Sequence, residues 1–191
     1  MNGPRREAGQ AMVEMAVILP LLVIVVLGVV EVSYALLDQH VVTKLTREGS
    51  NLISRDVSLG AAASALKAMS SRPVDFDTHS KVIFSVVRRG ATTGTSNFDK
   101  DILYERYEYG ALSATSVLQT RGSTTFGAPD YQATNPDSDT NLQLTGLPSG
   151  LTVGTGSMVY ITEVFTKHDL ITPFDRFGVT VPNVLYSIAY F

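Results

Sequence analysis

The chain has 191 residues, 45% of them hydrophobic and 17% charged, with a formal net charge of -3 at pH 7 and a pI near 5.6. One ordinary domain plus one membrane-length segment fits that size, and the absence of a basic balance excludes a phosphate-backbone binder, so no nucleic acid is expected as partner. There is no cysteine, which excludes disulfides, thiolate metal sites and thiol catalysis.

The first element is carried by "GQAMVEMAVILPLLVIVVLGVVE", Gly9 to Glu31, in which no charged residue occurs from Met15 to Val30. A helix from Gln10 to Val30 would be ~31 Å long at ~1.5 Å per residue, matching a hydrocarbon core of ~30 Å. The Val, Ile and Leu residues between Val17 and Val30 favour insertion by on the order of 5 kcal/mol, whereas Glu14, near one end, costs less than the ~3 kcal/mol of a mid-bilayer acid. A spanning segment is therefore predicted, with Pro20 kinking the helix rather than ending it. Arg5 and Arg6 precede the apolar run, while Glu31 and Asp38 follow it. That asymmetry puts the N-terminus in the cytoplasm and exports the remainder.

Three fates of this N-terminus fit the residues. Ser33-Tyr34-Ala35 offers small residues for a signal-peptidase cut, although Glu31 interrupts the approach. An uncleaved anchor with an incidental glutamate is the second. The third is a cut after Gly9, which removes the leader "MNGPRREAG" and leaves the whole apolar segment on the mature protein.

The combination of a basic leader, Gly9, Gln10-Ala11-Met12-Val13-Glu14 and an apolar helix with Pro20 resembles the class III signal of type IV pilin-like proteins. "GQAMVEMAVILPLLVIVVLGVVEVSYAL" resembles, more narrowly, the start of TadE-like minor pseudopilins of the tight-adherence, or Flp-type, pilus. The resemblance implies cleavage by a prepilin peptidase between Gly9 and Gln10, with Glu14 as the fifth mature residue acting in assembly. It also implies a minor pilin of a bacterial inner membrane, single-pass, with a periplasmic C-terminal domain and incorporation into an extracellular pilus. The partners so implied are the prepilin peptidase, other pilin-like subunits, an inner-membrane assembly platform and the lipid bilayer, with roles in pilus assembly, adherence and secretion. Met15 departs from the pattern, since Phe or Tyr commonly follows the family's glutamate.

Glu14 also has a chemical rationale of its own. A cut after Gly9 would create an α-amine on Gln10 with a reference pKa of ~8, hence mostly cationic at neutral pH. Gln10 and Glu14 are four residues apart and share a helix face, so the carboxylate can meet its own chain's amine or that of an adjoining subunit. The bland alternative is a glutamate that only reaches the cytoplasmic interface.

Beyond the bilayer, Tyr34, Leu37, Val41, Leu45, Glu48 or Gly49, and Leu52 recur at helical spacing, with Asp38, Lys44, Arg47 and Arg55 at polar positions. This predicts an amphipathic extension whose stripe packs on a sheet. Ser58 is expected to cap a short second helix through "GAAASALKAM" that stops before Pro73. After Pro73 the pattern alternates. Lys81 to Val87, Ile102 to Tyr109, Met158 to Thr166 and Asn183 to Phe191 read as strands of a mostly antiparallel sheet. "RRGATTGTSNFDKD" suits a hairpin connection, and "KHDLITPFDRFGVTVP", with two prolines, a loop.

The expected fold class is α+β, a long N-terminal transmembrane and amphipathic helix packed on that sheet, which is the pilin-like arrangement. The domains run as leader 1–9, transmembrane helix 10–31, helical extension and second helix 32–72, and a periplasmic sheet domain 73–191 with a long irregular loop at about 110–156. A short helix is expected near "SATSVLQT" inside that loop. "DSDTN", Asp137 to Asn141, alternates oxygen donors as a calcium loop does. Leu142 stands at its sixth position and Pro148 at its twelfth, so Asx turns are the simpler account. No Gly-rich phosphate loop, HExxH or GxSxG occurs, His40, His79 and His168 are scattered, and His168 with Asp169 reads as a surface pair. The chain is expected to be an enzyme's substrate rather than an enzyme, with no cofactor and no metal.

Overall fold

Between Arg5 and Arg72 the only proline is Pro20, so few residues in this stretch can stop a helix once it starts. The computed structural model, which describes residues 4–172 and 183–191, holds a single helix α1 over Pro4–Ile53 that runs through Pro20. Residues 1–3 of the expected leader lie outside the described residues. So do the side chains of Arg5 and Arg6, and residues 173–182 with the two prolines of the last connection.

The C-terminal end of α1 is set locally. Asp56 takes a left-handed φ of 63°, and the Val57 N–H returns to the Leu52 carbonyl at 3.4 Å, turning the chain. Ser58 then caps α2, Leu59–Met69, by accepting the Ala61 N–H at 3.4 Å, as expected from the sequence.

Among the described residues four strands follow: β1 (Ser80–Arg89), β2 (Asp101–Gly110), β3 (Met158–Lys167) and β4 (Val184–Tyr190). They form one sheet in the order β2-β1-β3-β4 with every neighbouring pair antiparallel, so the fold is α+β with one long helix. Phe84 of β1 stands opposite Tyr107 of β2 and Thr162 of β3. A register shift between Val86 and Val87 marks a bulge against β2.

The chain divides into two units, Met1–Leu37 with Asp169–Asn183, and Asp38–His168 with Val184–Phe191. In the second unit β1 is buried on both faces, which is why its apolar run is nearly continuous. Val82, Phe84 and Val86 pack with Val42, Leu45 and Ile53 of α1 and with Leu59, Ala62 and Leu66 of α2. Val87 faces the other way with Ile161, and there Leu118 and Val153 of the long connection cover the sheet. That connection, from Gly110 to Met158, is thus a third layer with its own apolar contacts.

Two expectations need correction. Tyr34 and Leu37 do not begin the packing stripe, because they are 48% and 59% exposed; the buried stripe starts at Val42 and continues through Leu45, Gly49 and Ile53. No helix forms at "SATSVLQT". The Val117 N–H is taken by the Glu163 carboxylate at 2.9 Å and the Leu118 N–H by the Ser116 hydroxyl at 3.0 Å, so donors that a helix would use internally are bound elsewhere. A short 3-10 turn falls instead at Thr140–Leu142 of the same connection.

The connection also protects the outer edge of β2. Ala133 N–H reaches the Tyr104 carbonyl at 2.9 Å, Arg106 N–H the Tyr131 carbonyl at 3.1 Å, and Leu144 N–H the Asp101 carbonyl at 2.9 Å. An edge paired in this way has fewer free groups with which to recruit another strand.

α1 approaches the sheet closely at Gly49, where a Cβ would lie 2.7 Å from Thr162 Cγ2, 3.1 Å from Leu66 Cδ1 and 3.2 Å from Phe84 Cε1. The β-branched Thr162 is stiff about χ1 and cannot swing its methyl aside cheaply. Gly49→Ala should therefore destabilise the detergent-solubilised protein by ~1–3 kcal/mol in denaturant titration, and Thr162→Ser, which removes that methyl, should recover part of the loss.

Candidate functional site

The expected cleavage and assembly residues Gly9, Gln10 and Glu14, with Pro20, all lie on the first part of α1. In water this surface is unfavourable: Met12, Val13, Met15 and Val17 are 62–73% exposed, and large apolar side chains stay exposed through Val26. The most apolar stretch of this helix is nowhere buried against the rest of the chain. A helix satisfies its own backbone, so this is the form in which such a run can enter hydrocarbon.

At its start, the Gln10 side-chain amide donates to the Glu14 carboxylate over 3.0 Å, with both side chains exposed. The four-residue spacing thus does place the two side chains together on one face. Gly9 is exposed, and a Cβ built on it would meet nothing within 4 Å. Further along, the Ser33 hydroxyl returns to the Val29 carbonyl at 2.7 Å. Met15, which departs from the resemblance, is 62% exposed like its neighbours.

Two acid contacts were not foreseen. Glu31 is only 5% exposed, accepting the Thr172 hydroxyl at 2.6 Å, the Thr172 N–H at 2.9 Å and the Ile171 N–H at 3.2 Å. His168, expected to form a surface pair with Asp169, is instead 3% exposed, with its Nδ1 2.7 Å from Asp38 Oδ2. Spacing along the chain could not show either, since the partners are 140 and 130 positions apart.

The body offers little reactive chemistry among the described residues. No group of three or more His, Asp or Glu is placed to hold a metal ion there. In "DSDTN", Asp137 pairs with Arg88 at 2.6 Å, and Asp139 accepts the Asn141 N–H at 3.0 Å, an Asx turn as expected. His79 is held between the Pro73 carbonyl and the Thr78 hydroxyl. In "RYEYG", Tyr107 packs on Tyr131 at 4.3 Å and Tyr109 on Phe76 at 6.0 Å between ring centres.

Arg106 points into the layer beneath the long connection, donating to the Leu118 carbonyl at 2.9 Å and the Ser116 hydroxyl at 3.1 Å. Ser116 in turn donates to Glu163, which is fully buried and also accepts from the Tyr186 hydroxyl at 3.2 Å. Burial pushes the Arg106 guanidinium below its usual value, opposed by the nearby Glu163 and Glu108. Burial, with the Glu163 charge beside it, holds the Tyr186 phenol well above the ordinary tyrosine value. These groups are hydrogen-bonded to one another across the sheet and the connection, an arrangement that locks the third layer in place.

Among the described residues one helix, at the N-terminus and ahead of the α+β body, is long and apolar enough to cross a membrane, which suggests a membrane anchor. Over residues 9–51 the chain matches the model of the family described as TadE-like protein, in agreement with the resemblance seen in the same residues. No curated protein and no solved structure matches the chain.

Because Tyr186 is held neutral in the fold, its contribution is complete below the unfolded tyrosine pKa of about 10 and is lost as pH rises above it. Denaturant midpoints measured from about pH 8 to about pH 11.5 should therefore fall at the alkaline end, and fall less in Tyr186→Phe than in the wild type.

Proposed function

We propose that the chain is a minor pilin or pseudopilin of a bacterial Flp-type pilus or related secretion apparatus, made as a precursor and cut by a prepilin peptidase between Gly9 and Gln10. The observation that carries this is the TadE-like match, which begins at the glycine of the proposed cut and spans the exposed apolar helix. The N-terminus lies in the cytoplasm and the α+β body in the periplasm, as the Arg5 and Arg6 pair before the apolar run and the acids after it favour.

Removing the leader converts Gln10 from an internal residue to a cation one helical turn from Glu14. The side-chain contact at 3.0 Å supports that reach, since the amine and the amide belong to the same residue. Between subunits, an acid near one end of an apolar helix pairs best with an amine at the same depth, and that pairing sets the register in which neighbouring helices pack. Pilin-like siblings and an inner-membrane platform are the partners of this step, and pilus assembly, adherence and secretion its outcome.

Sequencing of the mature N-terminus is the decisive measurement. Gln10 supports the proposal, Met1 selects an uncleaved anchor whose exported domain binds a ligand or envelope partner, and Leu36 selects a secreted domain. In the same strain, Glu14→Ala should leave leader removal intact while reducing recovery of the protein with sibling subunits after membrane crosslinking. Unchanged recovery would remove the pairing from the mechanism.

A further inference from the structure

The apolar exposure of α1 does not stop where the charge-free run stops. Val32, Leu36 and Leu37 are 60%, 66% and 59% exposed and Tyr34 is 48% exposed, all beyond Glu31. From Met12 to Leu37 the helix covers about 39 Å, more than the ~30 Å of hydrocarbon and close to the ~40–45 Å of a bilayer with its headgroup layers. The surplus turns lie at the exported end.

Glu31 sits inside this surface and is treated as a polar group in a poor solvent would have to be. Its carboxylate accepts from the Thr172 hydroxyl and from the Ile171 and Thr172 N–H groups, and the residue is 5% exposed. A water-facing glutamate at a helix surface needs no such enclosure, whereas one at the edge of hydrocarbon is costly unless its oxygens are satisfied by donors. Leu27, Gly28 and Ala35 are also partly covered and share the helix face of Glu31 at one-turn spacing, while their flanks stay exposed. Ile171, whose N–H is bound to Glu31, remains 56% exposed.

We propose that Glu31 clamps the chain at residues 171–172 onto the exported end of the membrane helix, and that Ile171 with Val32, Tyr34, Leu36 and Leu37 forms a collar seated in the headgroup layer of the outer leaflet. The occupant of this surface is phospholipid. The collar is continuous with the apolar span below it, and Tyr34 is of the amphipathic aromatic type that favours the interface. A surplus of apolar length is then accommodated in the interfacial layer instead of by tilt alone. The clamp fixes the depth of the anchor and holds residues 171–172 at the membrane surface. This inference rests on the membrane-anchor part of the proposed function.

The chain has no tryptophan, so a single introduced indole reports depth without background. Full-length Ile171→Trp and Val23→Trp proteins are reconstituted separately in phosphatidylcholine vesicles carrying bromine at shallow or deep acyl positions. The indole at position 171 should be quenched chiefly by shallow bromine, and the indole at position 23 chiefly by deep bromine. Adding Glu31→Ala, or the milder Thr172→Val, should lower the quenching at position 171 and leave that at position 23 unchanged.

If position 23 is quenched and position 171 is not, the collar is wrong and the anchor stands; if neither is quenched, both fail. Quenching at position 171 that survives Glu31→Ala overturns the clamp. A signal at position 171 that is shielded from bromine only as protein density in the vesicles rises would assign this surface to a sibling helix and overturn its assignment to lipid.

Discussion

One continuous helix in this chain must satisfy two incompatible surroundings, and most of the structure follows from how the change is made. Up to Leu37 the large apolar side chains of α1 point outward, and from Val42 onward they enter a packed core. The helix can serve both because its backbone hydrogen bonds are internal, which leaves side chains alone to decide what each stretch faces. Burying Val42, Leu45 and Ile53 at ~1.5–3 kcal/mol for each large side chain ties the C-terminal stretch to the sheet. Among the described residues the N-terminal stretch has no comparable cover.

The body is organised to receive the C-terminal stretch of that helix. Gly49 allows α1 to approach Thr162 and Phe84 closely, α2 fills the space beside it, and β1 lies inside the order β2-β1-β3-β4 with apolar residues on both faces. The far face is closed by the connection between β2 and β3. Its polar composition would be a poor lid by itself. Arg106, Ser116, Glu163 and Tyr186 form a chain of donors and acceptors, buried at Ser116 and Glu163, that pins it down, with Leu118 and Val153 supplying the apolar contact. These polar atoms of the body thus hold its layers together.

Acids near the apolar helix divide into two kinds. Glu14 is exposed with the Gln10 amide beside it, so its carboxylate keeps room for another donor. Glu31 is enclosed by hydroxyl and backbone donors from far along the chain. The first lies open at the helix surface and the second is closed within the chain. The distinction lies in their surroundings, because both are glutamates bordering the same apolar run.

Local pattern was enough for much of this protein. The charge-free run with its flanking residues defined the anchor, Gly9-to-Glu14 spacing carried the family resemblance, Ser58 marked a cap, and β-branched and aromatic alternation located all four described strands. These features depend on neighbours within a few positions, where periodicity and capping act. Tertiary structure alone decided the rest. Leu37 stayed exposed, the buried stripe of α1 starting only at Val42; "SATSVLQT" lost its helix because Glu163 takes the Val117 N–H; His168 became buried with Asp38 beside it; and Glu31 acquired donors at Ile171 and Thr172. In each case the deciding partner is tens of residues away or more, and hydrogen bonds closed over such separations leave no period or spacing in the sequence by which they could be read.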